Sequence, residues 1–358
     1  MAFQSARTRA ITTLLFLATL LLSGSVAHAQ PASVHLALGN PSGAVSDPAQ
    51  PTNYLIVRDQ YALSYSRDRG IPTWVSWHLQ ASDLGPADRH AGTFITDTSL
   101  PTGWYRVKHS DYTGSGYDRG HMAPSADRTA TVAANEATFL LTNIVPQTPE
   151  SNRSLWAQME DDARALVRQG NELYLVAGGY GSQATLGGGK LTVPATLWKV
   201  ILVLPAADGD DVARINAQTQ VLAVWTPNDA SVQGKAWRDY TTTVACVQQR
   251  TGLDFFATLD DTVEAAIEGA PCPDTPPTDQ RCFPETGQCI AGPIRTAWER
   301  GGGLPVFGFP IAAQAPETVE GRTLLSQWFE RARLEVNIDS SVTTGRLGVE
   351  RLEQRGTP

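Results

Sequence analysis

"SGYDRGHMAPSADR", residues 115–128, decides the reading of this chain. It places Asp118, Arg119, Gly120 and His121 in a row between small, turn-forming residues. An imidazole that titrates near neutrality, beside a guanidinium and a carboxylate, suits proton transfer next to an anion. Gly120 is expected to allow a tight bend that turns the three side chains toward one place. None of the other histidines, His28, His35, His78, His90 and His109, stands in an Asp-Arg-Gly-His run. His121 is therefore the candidate base.

Downstream, "FLLTNIVPQTPESNRSLWAQMEDDAR" (139–164) supplies Asn143, Gln147, Asn152, Glu160 and Arg164. Leu155, Met159, Ala163 and Leu166 recur at helical spacing, which predicts a helix from near Ser151 to a stop at Gly170. Glu160 and Arg164, four apart, are neighbours on its surface. Upstream, Tyr54 to Leu79 alternates apolar and polar residues in short runs broken by Asp68-Arg69-Gly70 and Pro72, the pattern of antiparallel strands. Residues Asn171 to Gly178 and Ala195 to Leu204 read as buried strands. The fold class expected is α+β, with a central antiparallel sheet over residues 34–268.

After Glu268 the composition shifts to "GAPCPDTPPTDQRC", which predicts a Cys/Pro-rich linker over 269–293. A small glycine-rich module is expected over 294–358, with a core of Trp298, Phe307, Phe309, Trp328 and Phe329. The first 29 residues carry Arg7 and Arg9, an apolar run from Ile11 to Leu22 and Ala27-His28-Ala29, the layout of a cleavable secretory signal. No later segment is apolar enough to span a bilayer, so the mature chain is expected to be secreted or held at the cell surface. Loss of two arginines and no acid takes the net charge from −8 to −10. A chain this acidic meets a phosphate polymer only through a local basic groove or a bound cation.

Four cysteines in an exported chain predict two disulfides. Of three possible connectivities we favour Cys246 with Cys272 and Cys282 with Cys289. No pair has the spacing of a zinc knuckle. "GSQATLGGGK" (181–190) lacks the first glycine and the Ser or Thr of a phosphate loop and reads as a hairpin loop. "TGSG" (113–116) lacks the spacing of a serine-hydrolase elbow and shapes the turn into the motif.

With these residues in view, the chain resembles the DNA/RNA non-specific endonuclease family of the ββα-metal nuclease superfamily. The family's Asp-Arg-Gly-His motif matches Asp118 to His121. Its Thr-Asn-x-x-Pro-Gln segment, the Asn before a helix and the Glu and Arg on that helix match Asn143, Gln147, Asn152, Glu160 and Arg164. The resemblance spans roughly Leu38 to Glu268 and implies a metal-dependent, sequence-independent hydrolysis of DNA and RNA. It implies His121 as general base and Asn152 as the direct ligand of one Mg²⁺, with Mn²⁺ suited equally by an amide plus waters. It further implies Glu160 as holder of the ion's waters and Arg119 and Arg164 as contacts to the scissile phosphate. Asn143, Gln147 and Asp118 would orient the centre. Members usually carry another arginine upstream, near an aromatic-x-x-Asp segment that is Phe94-Ile95-Thr96-Asp97 here; Arg89 is the nearest candidate. The C-terminal "WERGGGLPVFGFP" resembles LGFP-type modules of exported proteins, which implies attachment to a cell envelope or surface polymer. The alternative function is an exported nucleic-acid or surface-binding protein with little turnover.

Overall fold

The computed structural model describes residues 33–272, 280–283, 285–319, 322–336 and 341–345. The expected signal segment lies outside them. Two compact units divide at Pro271 and Cys272.

Among the described residues the first unit carries eleven strands: β1 (Tyr54–Val57), β2 (Ala62–Ser66), β3 (Ile71–Leu79), β4 (Asp118–His121), β5 (Ile144–Gln147), β6 (Asn171–Tyr180), β7 (Ala184–Leu186), β8 (Leu191–Val193), β9 (Thr196–Pro205), β10 (Gln220–Pro227) and β11 (Thr241–Thr242). Seven of them form one antiparallel sheet in the order β1-β2-β3-β6-β9-β10-β11. Both faces of the central strands are covered, which is why "ATLWKVILVL" runs almost unbroken in apolar residues. Alternation sends Val75, Trp77, Leu79, Leu173, Leu175 and Ile201 to one core. Trp74, Tyr174, Trp198, Val200 and Leu202 go to the other, where they meet Val247 and Phe255. The stretch 181–190 supplies β7 and the turn at Gly187–Gly189 of the β7–β8 hairpin.

Strands β4 and β5 pair with each other, Asp118 opposite Gln147 and His121 opposite Ile144. The expected helix follows, with a difference at its start. Ser151–Trp156 is wound as a π-helix before the regular helix Ala157–Arg168. Such wide turns displace side chains from the α-helical line and concentrate at functional sites. Leu155, Met159, Ala163 and Val167 are buried against the sheet. Two antiparallel strands and a helix are thus packed on one face of the large sheet. The far end of the opening stretch fastens this unit down: Trp77 Nε1 donates to Asp127 at 3.0 Å, and Arg128 donates to the carbonyls of Gln60 and His78. Arg128 is 3% exposed, so these contacts are interior.

In the second unit, β12 (Arg281–Phe283) and β13 (Gln288–Ile290) form a hairpin closed by the Cys282–Cys289 disulfide. Cys246 and Cys272 are disulfide-bonded too, and no cysteine is free. Phe283 and Ile290 pack with Ile294, Trp298, Phe307, Phe329 and Leu334. The stretch expected as linker therefore contributes folded core, because its apolar residues sit in a cross-linked hairpin. A four-stranded antiparallel sheet joins them: β14 (Ala315–Val319), β15 (Arg322–Trp328), β16 (Arg333–Val336) and β17 (Val342–Thr344). Trp328 is not in the core, contrary to expectation. Alternation with Phe329 turns it to the other side, where its Nε1 donates to Glu317 and Arg333 stacks on its ring.

Candidate active site

The Asp-Arg-Gly-His run is not a bend. It lies in β4, so Arg119 and His121 point to one side and Asp118 and Gly120 to the other. Gly120 is required for contact instead: a Cβ there would fall 2.2 Å from Cδ of Gln147.

On the first side, the His121 ring is 5.2 Å from Phe94 and 4.8 Å from Phe139. Its Nε2 is buried with no protein partner. Burial, and then the charge of Arg89, push its pKa down to about 3. The ring is therefore neutral at ordinary pH. Arg89 stacks on Phe139 at 4.9 Å and lies within electrostatic reach of both His121 and Glu160. Arg89 thus lies near the His121 ring, and it forms no ion pair among the described residues. Arg119 lies over Tyr112 and Phe94, donates from Nη2 to the His109 carbonyl at 2.6 Å and keeps its buried Nε unpartnered.

On the other side, Asn152 donates from Nδ2 to Asp118 Oδ2 at 3.0 Å. Asp118 is an acceptor only, so the bond fixes which end of the amide is which and leaves Asn152 Oδ1 for a ligand. Arg153 closes the opposite flank of Asp118 with bonds of 2.7 and 2.6 Å. Burial would raise the Asp118 carboxyl, but hydrogen bonds from Arg153 and Asn152 outweigh it and hold it below the usual range. Gln147 is fully buried, and neither end of its amide finds a partner.

Asn143 behaves differently. It accepts from the Ala123 amide at 2.9 Å and donates to the Ala123 and Thr138 carbonyls. Every one of these bonds goes to backbone, so Asn143 pins the chain that leaves His121. Asp97, of the aromatic-x-x-Asp segment, accepts from Arg58, Ser99 and Thr142 and pins the same turn from below.

Glu160 belongs to a buried charged group. Desolvation pushes its carboxyl up to about 7, against the pull of Lys199. Arg164 donates to Asp127 at 2.8 Å and to Asp161 at 2.6 Å, so both its terminal nitrogens are engaged with carboxylates. Lys199, 1% exposed, has its ammonium 4.2 Å from the Trp156 ring and 5.6 Å from Trp77; burial lowers its pKa. Sequence reasoning missed Lys199 and Asp127. A single cation inside the apolar run 196–204 was the available signal, since lysine is almost never fully buried without a partner.

His78 also departs from expectation. Its Nε2 is 3.0 Å from Glu172, and Arg214 bonds Glu172 and Asp211. Among the described residues, His78, Glu172 and Asp211 are the one set of three such groups close enough to share a cation. His78 alternates with Trp77, so this set sits on the sheet face away from β4 and β5. Arg214 already supplies its positive charge.

Residues 38–262 match the family model described as DNA/RNA non-specific endonuclease. The chain is 49% identical over 236 residues to a nuclease of Nostoc sp. (strain PCC 7120 / SAG 25.82 / UTEX 2576), covering 66% of this chain and 85% of the relative. It is 32% identical over 229 residues to Nuclease C1 of Cunninghamella echinulata var. echinulata, covering 60% of this chain and 86% of the relative. A chain solved in the EndoG/EndoGI complex matches with a TM-score of 0.54 at 24% identity, covering 65% of this chain and 94% of that one. The fold is that of a ββα-metal nuclease. By its sequence the chain belongs to the DNA/RNA non-specific endonuclease family.

Proposed function

We propose that this endonuclease is exported and hydrolyses phosphodiester bonds of DNA and RNA without sequence preference, with His121 as base and Asn152 as the anchor of one Mg²⁺ ion. The carrying observation is the Asp118–Asn152 hydrogen bond, which engages the amide nitrogen with a half-buried carboxylate and leaves the neutral amide oxygen for a ligand. The residues suit a hard cation that keeps most of its waters: Asn152 would be its direct ligand and Glu160 would hold its waters. Such a cation, once bound, neutralises charge on the phosphate and on the leaving oxygen. Glu160 belongs to this reading because its desolvated carboxyl gains most from a nearby positive charge.

His121, neutral in its phenylalanine pocket, takes the proton from the attacking water. Its depressed basicity arises partly from Arg89. A phosphodiester lying against Arg89 cancels that charge and raises the imidazole toward the range in which a base is effective. Arg119 and Arg89 hold donors not committed to carboxylates and suit the phosphate oxygens. Arg164, tied to Asp127 and Asp161, keeps the carboxylates around Glu160 compensated and stays beside the phosphate. All these groups address phosphate and none a base edge, which supports sequence independence. The disulfides are compatible with export. Likeness to LGFP-type modules supports a role of the C-terminal unit at an envelope or surface polymer; a chain ending at Glu268 would then cleave normally and lose surface retention. The direct test is digestion of supercoiled plasmid and single-stranded RNA with Mg²⁺, with Mn²⁺ and with chelator. Cleavage of both polymers that chelator abolishes is expected; cleavage unaffected by chelator contradicts the reading.

A further inference from the structure

An acidic nuclease needs a local place to hold its polymer, and one cavity outside the catalytic constellation has that chemistry. It measures about 640 Å³ and is lined by Trp104, Tyr105, Arg67, Asp68 and Lys190, together with Gly103 and Gly189. Nothing lies within 4 Å of where a Cβ would stand on either glycine, so the mouth is open. Trp104 is half-buried; Tyr54 meets it edge-on at 5.1 Å, and the Arg67 guanidinium lies over its ring at 5.8 Å. Arg67 is surface-exposed and among the described residues pairs only with its exposed neighbour Asp68, so it can swing from the ring. Lys190 is exposed and carries no side-chain bond among the described residues.

The cavity is linked to Arg119 through one turn of chain. Tyr105 donates to Asp111 at 2.9 Å, and a Cβ on Gly187 would stand 3.2 Å from the Asp111 Cβ. Asp111 sits in the turn His109–Tyr112. The other side of that turn holds Arg119, through the His109 carbonyl and the Tyr112 ring 5.1 Å away. One aromatic-and-basic cavity thus stands one turn of chain from the candidate phosphate contact.

We infer that this cavity is a nucleotide subsite for single-stranded nucleic acid, in which a base stacks on Trp104 and the flanking phosphates meet Arg67 and Lys190. The inference rests on the nuclease reading above and deepens it. A stacking platform with cations beside it tolerates any base and either sugar, because every base has a π-face. It also eases the charge problem, since Arg67 and Lys190 outnumber Asp68 and leave the cavity locally positive in a molecule that as a whole repels the strand.

The test measures binding of a labelled single-stranded octanucleotide, DNA and RNA, in chelator so that nothing is cut. Wild type is compared with Trp104→Ala, Trp104→Tyr and Lys190→Glu. Hydrolysis of bis(4-nitrophenyl) phosphate with Mg²⁺ reports the catalytic centre separately. Trp104→Ala should weaken binding about tenfold, Trp104→Tyr should retain most of it, and Lys190→Glu should weaken binding and flatten its salt dependence. Small-diester hydrolysis should stay within about twofold of wild type. Unchanged octanucleotide affinity in both Trp104→Ala and Lys190→Glu overturns the subsite, as does full competition by inorganic phosphate alone. Should Trp104→Ala fail to fold, Lys190→Glu decides, being a surface change. Failure of wild type to cut any substrate would sink the nuclease reading and leave the binding result standing.

Discussion

Two groups of histidine, acid and arginine lie on opposite faces of one sheet, and they differ in whether their polar atoms are used. Around His78 the account nearly closes, with Arg214 Nε left over: the imidazole meets Glu172, Arg214 joins Glu172 to Asp211, and Tyr174 donates to Asp211 at 2.6 Å. Around His121 it does not. His121 Nε2, both ends of the Gln147 amide and Arg119 Nε are buried without a partner. Each unmet buried group costs about 1–3 kcal/mol. A fold carries several in one place when a ligand completes them. Single unpartnered atoms occur elsewhere, Arg214 Nε and Glu268 Oε1 among them, so what marks the site is neither residue type nor one unmet group but several of them together.

The comparison breaks most sharply by matched substitution. His121→Ala should lower plasmid cleavage about 10³-fold, within the span expected for loss of a general base, while leaving the melting temperature unchanged or raised. Glu172→Gln should do the reverse, with cleavage within twofold and about 1–3 kcal/mol less stability in urea unfolding. Equal loss of activity in both variants would erase the distinction. Next in size is the cation: Asn152→Ala should weaken Mn²⁺ binding about 100-fold and Asp118→Asn about tenfold, since the partner only orients the ligand. Calorimetry with His78→Gln, in contrast, should give wild-type affinity and stoichiometry; a lost Mn²⁺ site there would reassign the metal to the opposite face. Arg89→Ala should lower kcat/KM about tenfold, and unchanged kinetics would remove Arg89 from the centre.

The pH dependence sharpens the same contrast by sign. His121 is pushed down to about 3 in the folded chain, whereas a free histidine titrates near 6.5. The unfolded chain then takes up its proton first, so this group costs stability as pH falls from 6.5 toward 3. Glu160, pushed up to about 7 from 4.5, acts in the opposite direction and costs stability as pH rises across that window. Imidazole NMR should show His121 neutral down to about pH 4, and its midpoint should rise when a non-hydrolysable phosphodiester binds. A free-protein midpoint above 6 would contradict the apolar pocket.

Much of this site was legible because its parts are local. Asp118 to His121 and Asn152 to Arg164 each lie on one short element, and helical spacing alone puts Glu160 beside Arg164. What escaped depends on distant pairing or on a change of backbone. His78 looked isolated because Glu172 lies 94 residues away, across a strand register the sequence does not print. Gly120 suggested a bend, whereas the space it saves is for Gln147 across the β4–β5 ladder. The π-turn at Ser151–Trp156 keeps the apolar helical pattern and so hides from a periodicity reading. In the second unit, Trp328 and Phe329 are equally apolar by type, and only strand alternation decides which is buried.

The central claim is that base and cation anchor are separate residues serving one reaction. Its most direct test is Mn²⁺ calorimetry and single-turnover cleavage of a labelled duplex, run side by side on His121→Ala and Asn152→Ala. The account predicts that His121→Ala binds the cation like wild type yet scarcely cleaves, and that Asn152→Ala loses both. Cleavage by His121→Ala within tenfold of wild type, or undiminished cation binding by Asn152→Ala, would contradict it.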